Sequence, residues 1–154
     1  MPDRPPPEPA DHAADFAHRY AEDLEIATGQ VMLDLGLAND QMGARDAGRT
    51  LEHHVFYPDE RDCGGVNPHG QITVDSGVMN PAVMDAPYGE ECGKLWRKTK
   101  LRPRLEAVIA HEKAEHEQGC DHEMALIAAV KTELPISHAA KEILRAQEEG
   151  WRGR

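Results

Sequence analysis

Apolar positions fall into two helical regions separated by a stretch of strand-like character. From Asp11 to about Leu35, Phe16, Tyr20, Leu24, Ala27 and Val31 recur at three- and four-residue spacing, which sets them on one stripe of a helix. His12 and His18 lie off that stripe, on the solvent side. Gly36, Asn39 and Asp40 mark a turn, and residues 41–50 are small and polar, a weak helix at best. Leu51–Tyr57 (LEHHVFY) has the β-branched and aromatic content of a strand that Pro58 ends. Gln71–Asp75 (QITVD) alternates as a second strand. The two can pair as a hairpin across DERDCGGVNPHG. That connection is longer than hairpins usually carry, which makes Asp62, Cys63 and His69 candidates for lining a cleft. His53 and His54 are neighbours on the first strand, so they point to opposite faces and only one can reach a site.

Residues 76–93 carry Gly77, Pro81, Pro87, Gly89 and Gly93 and read mostly as loop. After Pro103 the pattern is helical again. Leu105, Val108, Ile109 and Ala110 form an apolar face that leads into His111, and Gly119 stops the helix. Asp121 caps the next helix, His122–Glu133, with Met124, Ala125, Ile127, Ala128 and Ala129 apolar, and Pro135 breaks it. Ser137 caps a last helix with Ile143 and Leu144 inward, closing at Gly150. The order is helix, small sheet, loop, three helices. This is an α+β fold: a small β-sheet or hairpin with a histidine-bearing helix and two further C-terminal helices. Residues 1–10 hold five of the eleven prolines and read as a disordered tail, leaving 11–154 as a single domain.

Composition narrows the partners. With 154 residues, 40% hydrophobic and only 5% aromatic, the chain supports one core built from aliphatic side chains and alanine. A net charge of −11 argues against non-specific binding to nucleic acid or anionic membranes. The basic run KLWRKTKLRPR, residues 94–104, is the one cluster of opposite sign, and it reads as a solvated helix face and turn. No apolar run reaches the length of a membrane span and the N-terminus lacks an apolar signal core, so a soluble, cytoplasmic protein is expected. Cys63, Cys92 and Cys120 are odd in number and form no C-x-x-C pair, which argues against a disulfide framework.

The chemistry concentrates in His111–His122, HEKAEHEQGCDH. It holds three of the nine histidines with Glu112, Glu115, Glu117 and Asp121 among them. Two registers can hold a metal. In the first, His111 and Glu115 are four apart and stand about 40° from each other on one helix face. Glu112 is then free to act on a water, and His122 returns as third ligand after the Gly119 stop. In the second, His116 replaces Glu115. His111 and His116 are five apart, about 140° around an ideal helix, so sharing an ion needs a one-residue bulge. Helix geometry favours the first register. Cys120, inside the cluster, is a further ligand candidate, with a small buried thiol as the simpler reading. The plain alternative to a site is a solvated Glu/Lys/His helix face with weak i,i+4 pairing.

This segment resembles the zincin superfamily of metallohydrolases, whose signature is H-E-x-x-H on a helix. Residues 111–115 read H-E-K-A-E, with Glu115 where the second histidine belongs. Residues 116–122, H-E-Q-G-C-D-H, resemble the second half of the longer metzincin signature, H-x-x-G-x-x-H. Joined, the halves are one residue too long, and no methionine follows Met124 to form the Met-turn of those enzymes. The spacing H-E-x-x-x-H also occurs in a few zinc exopeptidases. The resemblance covers about a dozen residues. It implies a minimal zincin-like fold with zinc as cofactor and a peptide or protein substrate lying along an exposed edge strand, for which QITVD is the candidate. It also implies amide hydrolysis with Glu112 as general base, and Tyr57, Tyr88 or His54 beside the oxyanion.

Three other functions compete. A metal-binding or interaction domain without turnover would keep the helix but not need Glu112. A metal-dependent nuclease or toxin-like effector also uses histidine-rich helices, against which the acidic balance argues. A carboxylate-bridged di-iron bundle needs Glu-x-x-His pairs, and no glutamate here has histidine three residues later.

Overall fold

The computed structural model describes residues 23–38, 61–66, 71–119 and 121–153. Residues 23–34 are helical (α1) and bury Leu24, Val31 and Met32, with Ala27 half-buried. The stripe read from the sequence therefore faces the core over this span. The tail at 1–10, Phe16, Tyr20, His12, His18, the weak helix at 41–50 and the strand at 51–57 lie outside the described residues, as do His69 and Cys120.

Two three-residue strands follow, β1 (Gly64–Val66) and β2 (Ile72–Val74). They pair antiparallel with Gly64 opposite Val74, Gly65 opposite Thr73 and Val66 opposite Ile72. The second strand is where alternation placed it. Its partner within the described residues lies in the stretch read as a connecting loop, because Gly64 and Gly65 give that stretch no strand signature. β2 is buried along its whole length.

Ser76–Met79 is a 3-10 helix, followed by a short α2 (Asp85–Tyr88) and by α3 (Glu90–Lys98). This corrects the loop expected over 76–93. Pro87 is the third residue of α2, where its missing N–H has no helical acceptor to lose. Trp96 of α3 is fully buried, and its indole N–H donates to the Asn80 carbonyl at 3.0 Å, fixing α3 over the preceding turn. The arginines of the basic run are engaged within the fold. Arg97 pairs with Asp85 at 2.9 Å and Arg102 with Asp34 at 2.7 Å, while Arg104 lies over the Trp96 ring and donates to the Val78 carbonyl at 3.2 Å.

The centre of the molecule is α4 (Leu101–Glu117), which packs against both strands, the 3-10 helix and the two helices that follow. Leu105, Val108, Ile109 and Ala110 are buried as expected. The helix starts two residues before Pro103, which occupies its first turn. Contact on opposite sides explains why Glu106 and His111 are also buried on it. α5 (His122–Val130) and α6 (His138–Arg152) complete the fold. Their caps are those read from the sequence: Asp121 accepts from the Met124 N–H at 3.0 Å, and Ser137 accepts from the Ala140 N–H at 3.2 Å. α5 ends three residues short of Glu133. Met124, assigned to its apolar face, is 49% exposed, while Ala125, Leu126 and Ala129 face inward. α6 runs through Gly150 to Arg152. An ideal Cβ on Gly150 would lie 1.8 Å from the Tyr88 carbonyl oxygen, so this glycine permits a close helix contact and is not a stop. Within the described residues the fold is mixed and mainly helical, with one two-stranded antiparallel sheet. No described helix is long and apolar enough to cross a membrane.

Candidate metal centre

His111 and Glu115 are one turn apart in α4, on the face turned toward α5. α4 ends at Glu117, and Gly119, at φ +64°, reverses the chain in the left-handed conformation that glycine adopts without strain. Asp121 then caps α5, so His122 is its first residue and stands directly across from α4. One ligand-grade atom from each of His111, Glu115 and His122 falls within a group whose members all lie within 4.8 Å of one another. His111 Nε2 is 3.7 Å from one carboxylate oxygen of Glu115, and His122 Nδ1 is 3.9 Å from the other. The His111 and His122 rings are 5.1 Å apart between centroids. This is the set of the first register. His116 is exposed and lies outside the group, although it borders the same cleft.

The three residues form a group that could hold a metal ion. Two imidazoles and a carboxylate are ligands that zinc accepts, and three tetrahedral ligands at about 2.1 Å would stand roughly 3.4 Å apart. That spacing is inside the 3.7 Å and 3.9 Å separations and the 4.8 Å limit found here. His111 Nε2 is buried without a hydrogen-bond partner, a costly state for a polar atom that a bound cation would relieve. Burial, with the neighbouring His122, lowers the His111 pKa to about 4, so the ring is neutral and its lone pair is available at neutral pH.

The trio opens onto a cleft of about 620 Å³ between β1, α2 and α4. Glu112 lines it beside His111, with its stem against Gly64 of β1. Burial, followed by the charges of Glu115, Asp75 and Asp62, raises its pKa to about 8. Cys63, half-buried, and Asp62 also border the cleft. Burial and the Glu112, Asp75 and Asp62 carboxylates push the Cys63 thiol well above its ordinary range, so it stays protonated. Tyr88 lines the opposite wall, and its hydroxyl is 3.2 Å from His122 Nε2. Of the three residues considered for an oxyanion, Tyr88 is therefore engaged with a candidate ligand, and Tyr57 and His54 lie outside the described residues. Trp151 stands edge-on to His122 at 4.4 Å between centroids. Nothing in the sequence singled out Trp151, since no local motif links a residue of the last helix to the histidine cluster.

β1, rather than β2, borders the cleft. The Asp75 N–H donates to the Cys63 carbonyl at 2.9 Å, which makes Cys63 and Asp75 a hydrogen-bonded pair. Alternation then gives Gly65 and Thr73 the next such pair and turns the N–H and C=O of Gly64 and Val66 away from β2. Among the described residues the candidate edge is thus Gly64–Val66, and the expectation of QITVD in that role is corrected. β2 is buried on all three residues and has no open face to offer.

No protein-family model, no curated protein and no solved structure matches this chain.

Proposed function

We propose that this protein is a zinc-dependent hydrolase acting on peptide bonds. The observation that carries the reading is the convergence of His111, Glu115 and His122, with a buried, unpartnered His111 nitrogen at their centre, beside an open cleft. Held by His111, Glu115 and His122, zinc would supply Lewis acidity and would lower the pKa of a water toward about 7. Glu112, next to His111 and facing the same cleft, receives the proton of the attacking water and delivers it to the leaving amine. Its raised pKa belongs to the metal-free protein, and a nearby dication favours the carboxylate. The N–H and C=O groups of Gly64 and Val66, turned away from β2, would suit an extended peptide added as an antiparallel strand.

A metal-binding domain without turnover uses the same three ligands and has no need of Glu112. One experiment tests both readings. Elemental analysis of the purified protein should give one zinc per chain, lost in His111→Ala, and a peptide library should be cleaved by the wild type but not by Glu112→Gln. Absence of stoichiometric zinc sinks both readings. Zinc without any Glu112-dependent cleavage selects the non-catalytic one.

A further inference from the structure

The two histidines of the centre present different nitrogens. His111 turns Nε2 to Glu115, whereas His122 turns Nδ1 to the same carboxylate and Nε2 to Tyr88. Resting on the metal reading above, we propose that Tyr88 is a positioning residue of the site: its hydroxyl oxygen accepts the Nε2 proton of His122 and so commits Nδ1 to the ion. A neutral imidazole carries one proton, and a metal needs the nitrogen without it. The 3.2 Å contact with Tyr88 is a hydrogen bond, while the 3.9 Å separation from Glu115 is too long for one. The only hydrogen-bonded nitrogen among the described contacts of this ring is thus Nε2. The tyrosine hydroxyl can donate or accept there. A cation held by His111 and Glu115, however, takes the lone pair of Nδ1, so the proton goes to Nε2 and the hydroxyl accepts it.

Tyr88 is well held for the task. It is 9% exposed and ends α2, a helix of four residues that packs on α6. The Asp85–Arg97 ion pair ties α2 to α3, and the backbone of Tyr88 rests directly against Gly150. The next residue of α6, Trp151, packs edge-on against the His122 ring. α6 therefore backs both members of the pair, the tyrosine through its main chain and the histidine through its ring. Asp121 fixes the third point by starting α5 at His122. A ring held at its backbone, one edge and one nitrogen has little freedom to flip, and such outer contacts typically alter metal affinity by about 10- to 100-fold.

The test uses the full chain labelled with nitrogen-15 in its histidines, titrated with zinc. Expected are a coordination shift on Nδ1 of His122 and on Nε2 of His111, with Nε2 of His122 still protonated. Tyr88→Phe, which keeps the ring and removes the oxygen, should weaken zinc binding about tenfold in competition with a chelator. Its metal-free thermal midpoint should stay near that of the wild type. Coordination of His122 through Nε2, or zinc affinity of Tyr88→Phe within twofold of wild type, overturns the proposal while leaving the metal centre standing. Zinc that moves neither His111 nor His122 defeats the metal reading and the proposal together. The wild-type spectrum alone identifies the coordinating nitrogen, so the answer survives even if the variant folds poorly.

Discussion

Glu115 divides its two carboxylate oxygens between two histidines, one 3.7 Å from His111 Nε2 and the other 3.9 Å from His122 Nδ1. Neither separation is a hydrogen bond, and with His111 neutral the first is not an ion pair either. In the proposed metal-bound state both nitrogens turn lone pairs toward this carboxylate, and the cation between them offsets the repulsion. Glu115 thus links both histidines of the candidate centre.

Glu115→Ala is expected to lower zinc affinity by more than about 100-fold, beyond the usual effect of outer-shell changes. His116→Ala, at an exposed position outside the group, should stay within about threefold of wild type. Chelator competition on the two variants measures this directly. Equal losses in both would restore the register built on His116.

Glu112→Gln should keep its zinc and lose peptide hydrolysis by about 10²- to 10⁴-fold, the usual range for a general base. The loss should appear in kcat more than in KM, because the side chain acts on the reacting water and not on the bound peptide. A variant that cleaves at the wild-type rate would remove Glu112 from the reaction.

How much of this was legible in the sequence depends on how local each signal is. His111, Glu115, Gly119, Asp121 and His122 are joined by helix periodicity and capping, so their convergence follows from spacing. Gly64–Val66 was hidden because its strand is made by the partner Ile72–Val74 and not by its own propensity. α2 and α3 were hidden behind Pro87, Gly89 and Gly93, which mark turns in isolation. Tyr88 and Trp151 approach His122 from 34 and 29 positions away in the chain, and no periodicity links them to it.

The metal-free protein should lose stability as pH rises from about 6.5 to 8. Glu112 has a folded pKa of about 8, above its unfolded value, so its contribution is full at low pH and is lost as pH rises through the folded value. His111 has a folded pKa of about 4, below its unfolded value, so its contribution is full above about pH 6.5 and is lost as pH falls toward 4. The two slopes oppose each other between the unfolded glutamate and histidine values. Above pH 6.5 only that of Glu112 remains, worth about 1–2 kcal/mol up to pH 8. Urea midpoints with chelator present should fall over this interval in the wild type and stay flat in Glu112→Gln. Added zinc should flatten the wild-type profile, because the cation favours the charged carboxylate.

Gly150→Ala sets two effects of opposite sign against each other. Alanine in a helix interior is favoured over glycine by about 1 kcal/mol, so propensity alone predicts a more stable protein. The added methyl, however, would lie 1.8 Å from the Tyr88 carbonyl oxygen, and that atom is backbone in a helix clamped to α3 by Arg97. Overlap of this size requires α2 and α6 to separate, at a cost of roughly 1–3 kcal/mol. The overlap wins, and Gly150→Ala should unfold at lower denaturant concentration. Zinc affinity should fall with it, because a displaced Tyr88 no longer reaches His122. Gly153→Ala is the control: its added carbon meets the Glu149 carbonyl oxygen at 3.4 Å, ordinary contact, at the end of the same helix. Stability there should change by less than about 0.5 kcal/mol. A stabilised Gly150→Ala protein with wild-type zinc affinity would show that the contact between α2 and α6 plays no part in holding the site.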